Sequence, residues 1–297
     1  MSWRGILLNA LVLFFTITSY GQANILNADS PEEIGKKTEA QIQSDLNDEP
    51  LEYGYVGERD ILWSKNVWEK IDLDERVNFP LYYPIDVNNI GDNRRSLYDV
   101  LISAIKDGKI KKIYADSYFN EERTLEDIQA TLSKVDTTNL GIEQYNAGEE
   151  VDPQFIDRRD LGAADIAQYH IRGMWYFDKR QAELKYRLLG IAPVAPDVNF
   201  IDSGQSDLVE LFWVFFPDAR EVLHENSAYT IGGSGQSITF DHLLNSRRFN
   251  ALIYKEDNVY GDRPIDDYIV DNAFMELLES QRIQEQIRNF ELDMWSY

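Results

Sequence analysis

The chain reads as an α+β protein, in which an antiparallel hairpin and short strands pack with helices behind an extended N-terminal arm. Three observations predict this. Residues 166–177 and 182–191 both alternate apolar and polar side chains. Tyr169, Ile171 and Trp175 mark the first run and Leu184, Tyr186 and Leu188 the second, with the polar connection Asp178 to Gln181 between them. Period-two alternation on either side of a short polar link is a hairpin signal. Leu97, Leu101, Ala104 and Ile105 fall at i, i+4, i+7 and i+8, the spacing of an amphipathic helix. Residues 22–60 are polar and acid-rich, with too few large apolar side chains to offset the entropy of ordering them, so they read as a flexible arm.

In chain order, residues 1–21 read as a secretory signal peptide. Arg4 supplies the positive end, Ile6 to Ile17 an apolar run too short to span a bilayer comfortably, and Ser19 and Gly21 the small residues of a cleavage site. An uncleaved anchor is the alternative. Within the arm, residues 34–46 could form a short helix. The composition shifts at Ile61, where a body of residues 61–297 begins. Pro80 and Pro84 bracket a short aromatic strand, since proline favours strand starts and edges. The helix from Leu97 ends at Gly108, which can adopt the left-handed conformation. Residues 109–115 read as a strand. Thr124 with Asp127 forms a capping box that opens a helix to about Leu132. The Asn-, Gly- and Glu-rich residues 137–152 are the best internal boundary.

The hairpin comes next and should stop at Pro193 and Pro196. A helix over 179–189 is the competing reading, because Gln-Ala-Glu-Leu-Lys favours helix. The apolar run ending at Pro217 predicts a strand buried on both faces, with residues 219–225 continuing it. Residues 237–254 predict a helix and then a strand. Pro264 suits the first turn of a long charged helix that runs to about Phe290.

The stretches starting at Ile113 and Ile253 share Ile-Tyr, an acidic loop, an Arg and a helix start, at a constant offset of 140 residues from Ile113 to Asp127. On this likeness residues 95–132 and 237–275 are candidates for an internal repeat. A duplication giving two related lobes is one reading and chance similarity of two α-β units the other.

The formal net charge is -23 and the isoelectric point is near 4.4. Such a chain repels nucleic-acid phosphates and anionic lipid heads. There is no cysteine, which excludes disulfides, thiol catalysis, thiolate metal sites and the N-terminal cysteine lipidation of a bacterial lipoprotein. The three histidines, His170, His224 and His242, lack metal-ligand spacing. The glycine-rich residues 232–237 lack the Lys of a phosphate loop. Carboxylates are abundant, and no pair is singled out for hydrolysis. No catalytic residue, metal or cofactor emerges, so the residues point to a binding or structural protein. The rivals are a periplasmic carboxylate-dependent hydrolase and a stand-alone ligand-binding protein.

Two groups of residues are candidates for partner contact. Lys179, Arg180, Lys185 and Arg187 form a basic island on an acidic chain. Lys185 and Arg187 point away from Leu184, Tyr186 and Leu188, so they form either a solvated outer face or a dock for an acidic surface. Leu51, Tyr53, Tyr55 and Val56 are apolar anchors in the arm, suited to ordering on a partner. The two groups are expected to act at different contacts. Trp175, Tyr186, Leu188 and Trp213 are expected in the core, where truncating a buried Trp costs roughly 3–5 kcal/mol.

The segments LWSKNVWEKIDLDERVNFPLYYPID, WYFDKRQAELKYRLLGIAPVAPDV and ELFWVFFPDAREVL resemble the gliding-motility protein family GldN, also called PorN. So does EYGYVGERDILWSKNVWEKIDL at the end of the arm. The resemblance runs from about Ile61 to the C-terminal helix. It implies a non-enzymatic part of the type IX secretion and gliding machinery, located in the periplasm and bound to the inner face of the outer membrane through a partner lipoprotein. It further implies a ring built with the lipoprotein GldK (PorK) and by self-association, and contact with the periplasmic part of GldM (PorM). Membrane contact would then come only through partners.

Overall fold

The computed structural model describes residues 48–86, 95–148, 152–200, 207–228, 238–270 and 272–295. The signal-peptide segment, the expected helix at 34–46 and the glycine-rich residues 232–237 lie outside them. Two compact units are distinguished, 1–49 with 91–93 and 50–90 with 94–297. Every element below belongs to the second.

Its strands are β1 (Ile61–Asp72), β2 (Ile113–Tyr114), β3 (Glu122–Arg123), β4 (Ser133–Thr137), β5 (Ile156–Asp160), β6 (Gln168–Asp178), β7 (Glu183–Pro196), β8 (Leu208–Glu210), β9 (Val214–Phe215), β10 (Ser227–Ala228), β11 (Ile238–Thr239) and β12 (Leu252–Glu256). Its helices are α1 (Phe79–Tyr82), α2 (Leu97–Lys106), α3 (Leu125–Leu132), α4 (Asn139–Asn146), α5 (Phe216–Glu225), α6 (Phe240–Asn245), α7 (Ile265–Tyr268) and α8 (Ala273–Trp295). The fold is α+β. The main sheet is antiparallel in the order β12-β1-β6-β7-β8, and β9 also pairs with β7.

The hairpin is β6 and β7, paired from Gln168 opposite Val194 to Asp178 opposite Glu183. Asp178 closes its turn by accepting the Arg180 amide at 2.9 Å, as a short carboxylate at a turn does. The register slips between Arg172 and Gly173, which places Leu189 in a bulge. An extra residue inverts the side-chain parity beyond it. Leu188 and Ile191 can therefore both be fully buried on one face although they are three residues apart.

The hairpin does not stop at Pro193. Proline forfeits only a donor, and the Pro193 carbonyl still accepts the Leu211 amide at 3.0 Å while β7 continues to Pro196.

On one face of the sheet, Ile71, Tyr169, Ile171, Leu188 and Ile191 meet α2, α5 and α6 through Leu97, Leu101, Ile105, Phe216, Leu223, Phe240 and Leu244. A smaller cluster of Val67, Ile253, Ile265, Ile283 and Ile287 joins β1 and β12 to α7 and α8. Trp63 stacks on Phe290 at 4.7 Å there. Trp68 and Trp213 form a third cluster with Ala192. Ser280 of α8 accepts the Ile253 amide of β12 at 3.0 Å. A helix side chain thus occupies a backbone donor near the sheet edge, one way an edge strand is shielded.

Several expectations change. Residues 79–82 form α1 rather than a strand, because Pro80 sits in the first helical turn, where its missing amide costs nothing. Pro217 does the same for α5, so residues 219–225 are helical. The apolar run before it is buried as expected, with Leu211, Phe212, Trp213 and Val214 all at 0% exposure. It is broken, however, into β8, an isolated Trp213–Tyr114 bridge and β9. The 109–115 strand shrinks to β2. Residues 137–152 carry α4, within a ribbon closed by β4 and β5. The capping box of Thr124 and Asp127 forms. The C-terminal helical segment is interrupted between α7 and α8 and runs to Trp295. A helix-then-strand order occurs at both parts of the sequence repeat, but β2 pairs with β3 while β12 joins the main sheet.

Candidate docking site

The end of the arm lies against the body. Tyr53 is its anchor. The Arg220 guanidinium lies 4.2 Å from the Tyr53 ring centroid and that of Arg187 lies 4.6 Å away. The phenol donates to Asn245 Oδ1 at 2.7 Å. Arg220 Nη2 also donates to the Leu51 carbonyl at 2.7 Å, and Arg187 Nη2 to that of Gly54 at 3.0 Å. Two arginines thus grip one aromatic ring and two backbone carbonyls of one short segment. Cation–π contacts of this kind are worth about 0.5–1 kcal/mol when exposed and about 2 when desolvated.

The grip is preorganised by the body. Arg220 on α5 and Asp241 on α6 are both buried and form a bidentate pair, 2.8 Å from Nε to Oδ1 and 3.1 Å from Nη2 to Oδ2. Asn245, one helical turn after Asp241, donates to its Oδ1 at 2.8 Å, which fixes the amide that receives Tyr53. Burial pushes the Tyr53 phenol up, opposed by the charge of Arg220. Donation of hydrogen bonds to Asp241 holds the Arg220 guanidinium above its ordinary value.

The arm and the basic island therefore meet, although the sequence suggested separate contacts. An open cleft of about 300 Å³ lies where Tyr53, Tyr55 and Val56 face Tyr176, Lys185 and Arg187. Leu51 and Tyr55 remain exposed, and Val56 is half-buried. The rest of the island is drawn toward local acids. Lys185 Nζ lies 3.9 Å from Asp178 and 3.8 Å from Glu183, and Arg180 lies 3.6 Å from Asp60. Lys179 donates its backbone amide to the Asp60 carbonyl at 2.7 Å and exposes its side chain. Only Arg187 of the four engages the arm ring directly.

Leu188 and Trp213 are fully buried. Trp175 is half-buried, 5.0 Å from Tyr186 and packed against the α8 cluster. Tyr186 lies across Gly173 and donates to Glu69 Oε2 at 3.1 Å. Glu69 is 1% exposed and receives both Arg247 nitrogens, at 2.7 and 2.8 Å. Burial pushes the Tyr186 phenol well up, and the Glu69 charge adds to this.

Among the described residues the buried carboxylates are each engaged. Glu69 and Asp241 face arginines and Asp178 closes a turn, while the half-buried Glu210 accepts Trp213 Nε1 at 2.7 Å and lies 2.7 Å from His170 Nδ1. Burial works to raise the Glu210 carboxyl, but these hydrogen bonds hold it below its ordinary value. Among the described residues no three His, Asp or Glu side chains come together as a metal site. The arrangement can grip a peptide segment and fix a sheet.

Arg220, Asp241, Asn245 and Arg247 were not read from the sequence. A signal existed for Arg220. Taking Pro217 as a helix start places Arg220 on the same face as Phe216, Ala219 and Leu223, the apolar face of α5.

Residues 56–296 match the family described as Gliding motility associated protein GldN. Comparison with curated proteins finds no match.

Proposed function

The chain belongs to the GldN family, a component of the gliding-motility machinery, and from this we propose that it is a non-enzymatic structural adaptor of the type IX secretion system. In this reading it resides in the periplasm and joins the lipoprotein GldK (PorK) in a ring at the inner face of the outer membrane. It also contacts the periplasmic part of GldM (PorM). The observation that carries the reading is the extent of the family match, which spans the main sheet and the eight helices of the described residues. The engagement of the buried carboxylates in structural pairs supports a scaffold, because such groups are satisfied by the fold itself. The arm clamp supplies a place where an extended segment is held by charge and aromatic contact.

The test is co-purification with GldK and then sizing of the complex, alongside turnover assays on peptidoglycan. Large complexes that require both proteins, with no turnover, are expected. A chain that stays monomeric beside GldK, or that cleaves the polymer alone, would overturn the reading.

A further inference from the structure

A helix on the surface of a globular protein ordinarily carries one apolar stripe, which it buries. Helix α8 carries two. Its inner stripe, Ser280, Ile283 and Ile287, is buried against the body, and Phe290 continues it onto Trp63. On the opposite side Phe274, Leu278, Leu292 and Trp295 are 67%, 41%, 58% and 64% exposed. Between them lie the exposed Gln281, Glu285 and Arg288. The steps from Phe274 through these residues to Trp295 are four, three, four, three, four and three. This is the 3.5-residue spacing of a coiled-coil seam, apolar at both ends and polar at its centre, on a helix of 23 residues and about 34 Å.

The seam is also nearly symmetric about Glu285. It runs apolar, polar, apolar, with the apolar pairs at similar distances from the centre. An antiparallel copy would place Phe274 against Trp295, Leu278 against Leu292 and Gln281 against Arg288, with the two Glu285 side chains near the two-fold axis. Such an interface is self-complementary, as an isologous contact requires. The charges choose the direction. A parallel pair stacks Arg288 on Arg288. An antiparallel pair sets each Arg288 opposite the partner helix's Gln281 instead, while the two Glu285 side chains meet in either direction. Within one chain Arg288 and Glu285 are only loosely joined, at 4.0 Å.

We propose that the outer face of α8 is a self-association surface on which a second copy of this chain packs its own α8 antiparallel. The contact is a single helical seam, so the dimer is weak in dilute solution and favoured where copies are held close together. It is distinct from the head-to-tail contacts that close a ring. The test uses the isolated chain, so it stands or falls apart from the ring reading.

The absence of native cysteine allows single cysteines to be placed cleanly. Glu285→Cys, near the axis, should give disulfide-linked dimers under mild oxidation. Leu278→Cys alone should not, because its copies would lie about 21 Å apart along the seam. A mixture of Leu278→Cys and Leu292→Cys chains should cross-link. Lys106→Cys, exposed on α2, measures random collision. Leu278→Lys with Leu292→Lys, both at exposed positions, should abolish the dimer seen by sedimentation at high protein concentration with the circular dichroism unchanged. Self-cross-linking of Leu278→Cys equal to that of the mixture would overturn the antiparallel pair. Cross-linking of Glu285→Cys no greater than that of Lys106→Cys would overturn the surface.

Discussion

Arg247 with Glu69, and Arg220 with Asp241, are the same chemical unit used for two purposes. Each is a bidentate arginine–carboxylate pair, and each arginine lies on a tyrosine ring, 4.1 Å from Tyr186 and 4.2 Å from Tyr53. The difference lies in where the tyrosine comes from. Tyr186 lies within β7 and reaches across the sheet to Glu69, so its unit joins strands β1 and β7 through the face of the sheet. Tyr53 comes from the arm, outside any strand, so its unit holds a segment the sheet does not need. The first unit seals the core between the large cluster and the α8 cluster. The second is a grip.

The largest effect should come from breaking the sealed unit. Arg247→Ala leaves the Glu69 carboxylate buried without its counter-charge, and breaking such a pair costs about 3–5 kcal/mol. Urea unfolding should show this as a lower midpoint. A loss under about 1 kcal/mol would mean that water reaches Glu69, and the contrast between the two units would fail.

A smaller loss is expected from Gly173→Ala. An added Cβ would lie 2.1 Å from the Tyr186 hydroxyl, so the ring must leave its place over the glycine. Overpacking of this kind costs about 1–3 kcal/mol. Tyr186→Phe in the same background should not recover the loss, because the ring carbon Cζ would still lie 2.2 Å from the added Cβ.

The sequence revealed local elements better than long-range ones. The β6–β7 hairpin, α2 and the Thr124 capping box were legible, because alternation, heptad-like spacing and a Thr-x-x-Asp pair are signals within a few residues. Pro80 and Pro217 mislead for a physical reason. A proline that ends a strand and one that opens a helix leave the same local pattern, and only the packing of the residues after it decides. The site was half legible. Tyr53 and Arg187 were singled out, but they were assigned to separate contacts. The residues that bring them together, Arg220, Asp241 and Asn245, lie 167 or more positions from Tyr53, on helices whose placement depends on the whole sheet. No spacing rule reaches that far.

The smallest effect, and the one that isolates the grip, concerns Tyr53. Burial holds its phenol above the ordinary tyrosine value of about 10. Docking of the arm therefore favours the neutral phenol. Its contribution is complete at and below neutral pH and is lost as the pH rises through the raised value of the docked state. The phenolate would also be a second acceptor facing the Asn245 carbonyl, which offers it no proton to share. A fluorophore on Leu51→Cys, an exposed position in a chain without other cysteines, reports the arm alone. Its anisotropy should fall at alkaline pH while the body stays folded. Tyr53→Phe keeps the ring between Arg187 and Arg220, loses the hydrogen bond to Asn245, and cannot titrate. Its arm should be slightly more mobile at neutral pH, with a loss of about 1 kcal/mol, and should show no alkaline step of its own. An identical step in both proteins would assign the release to another tyrosine. A mobile arm at neutral pH in the unsubstituted chain would show that the two arginines do not hold it, and that the resemblance between the two units ends at their shape.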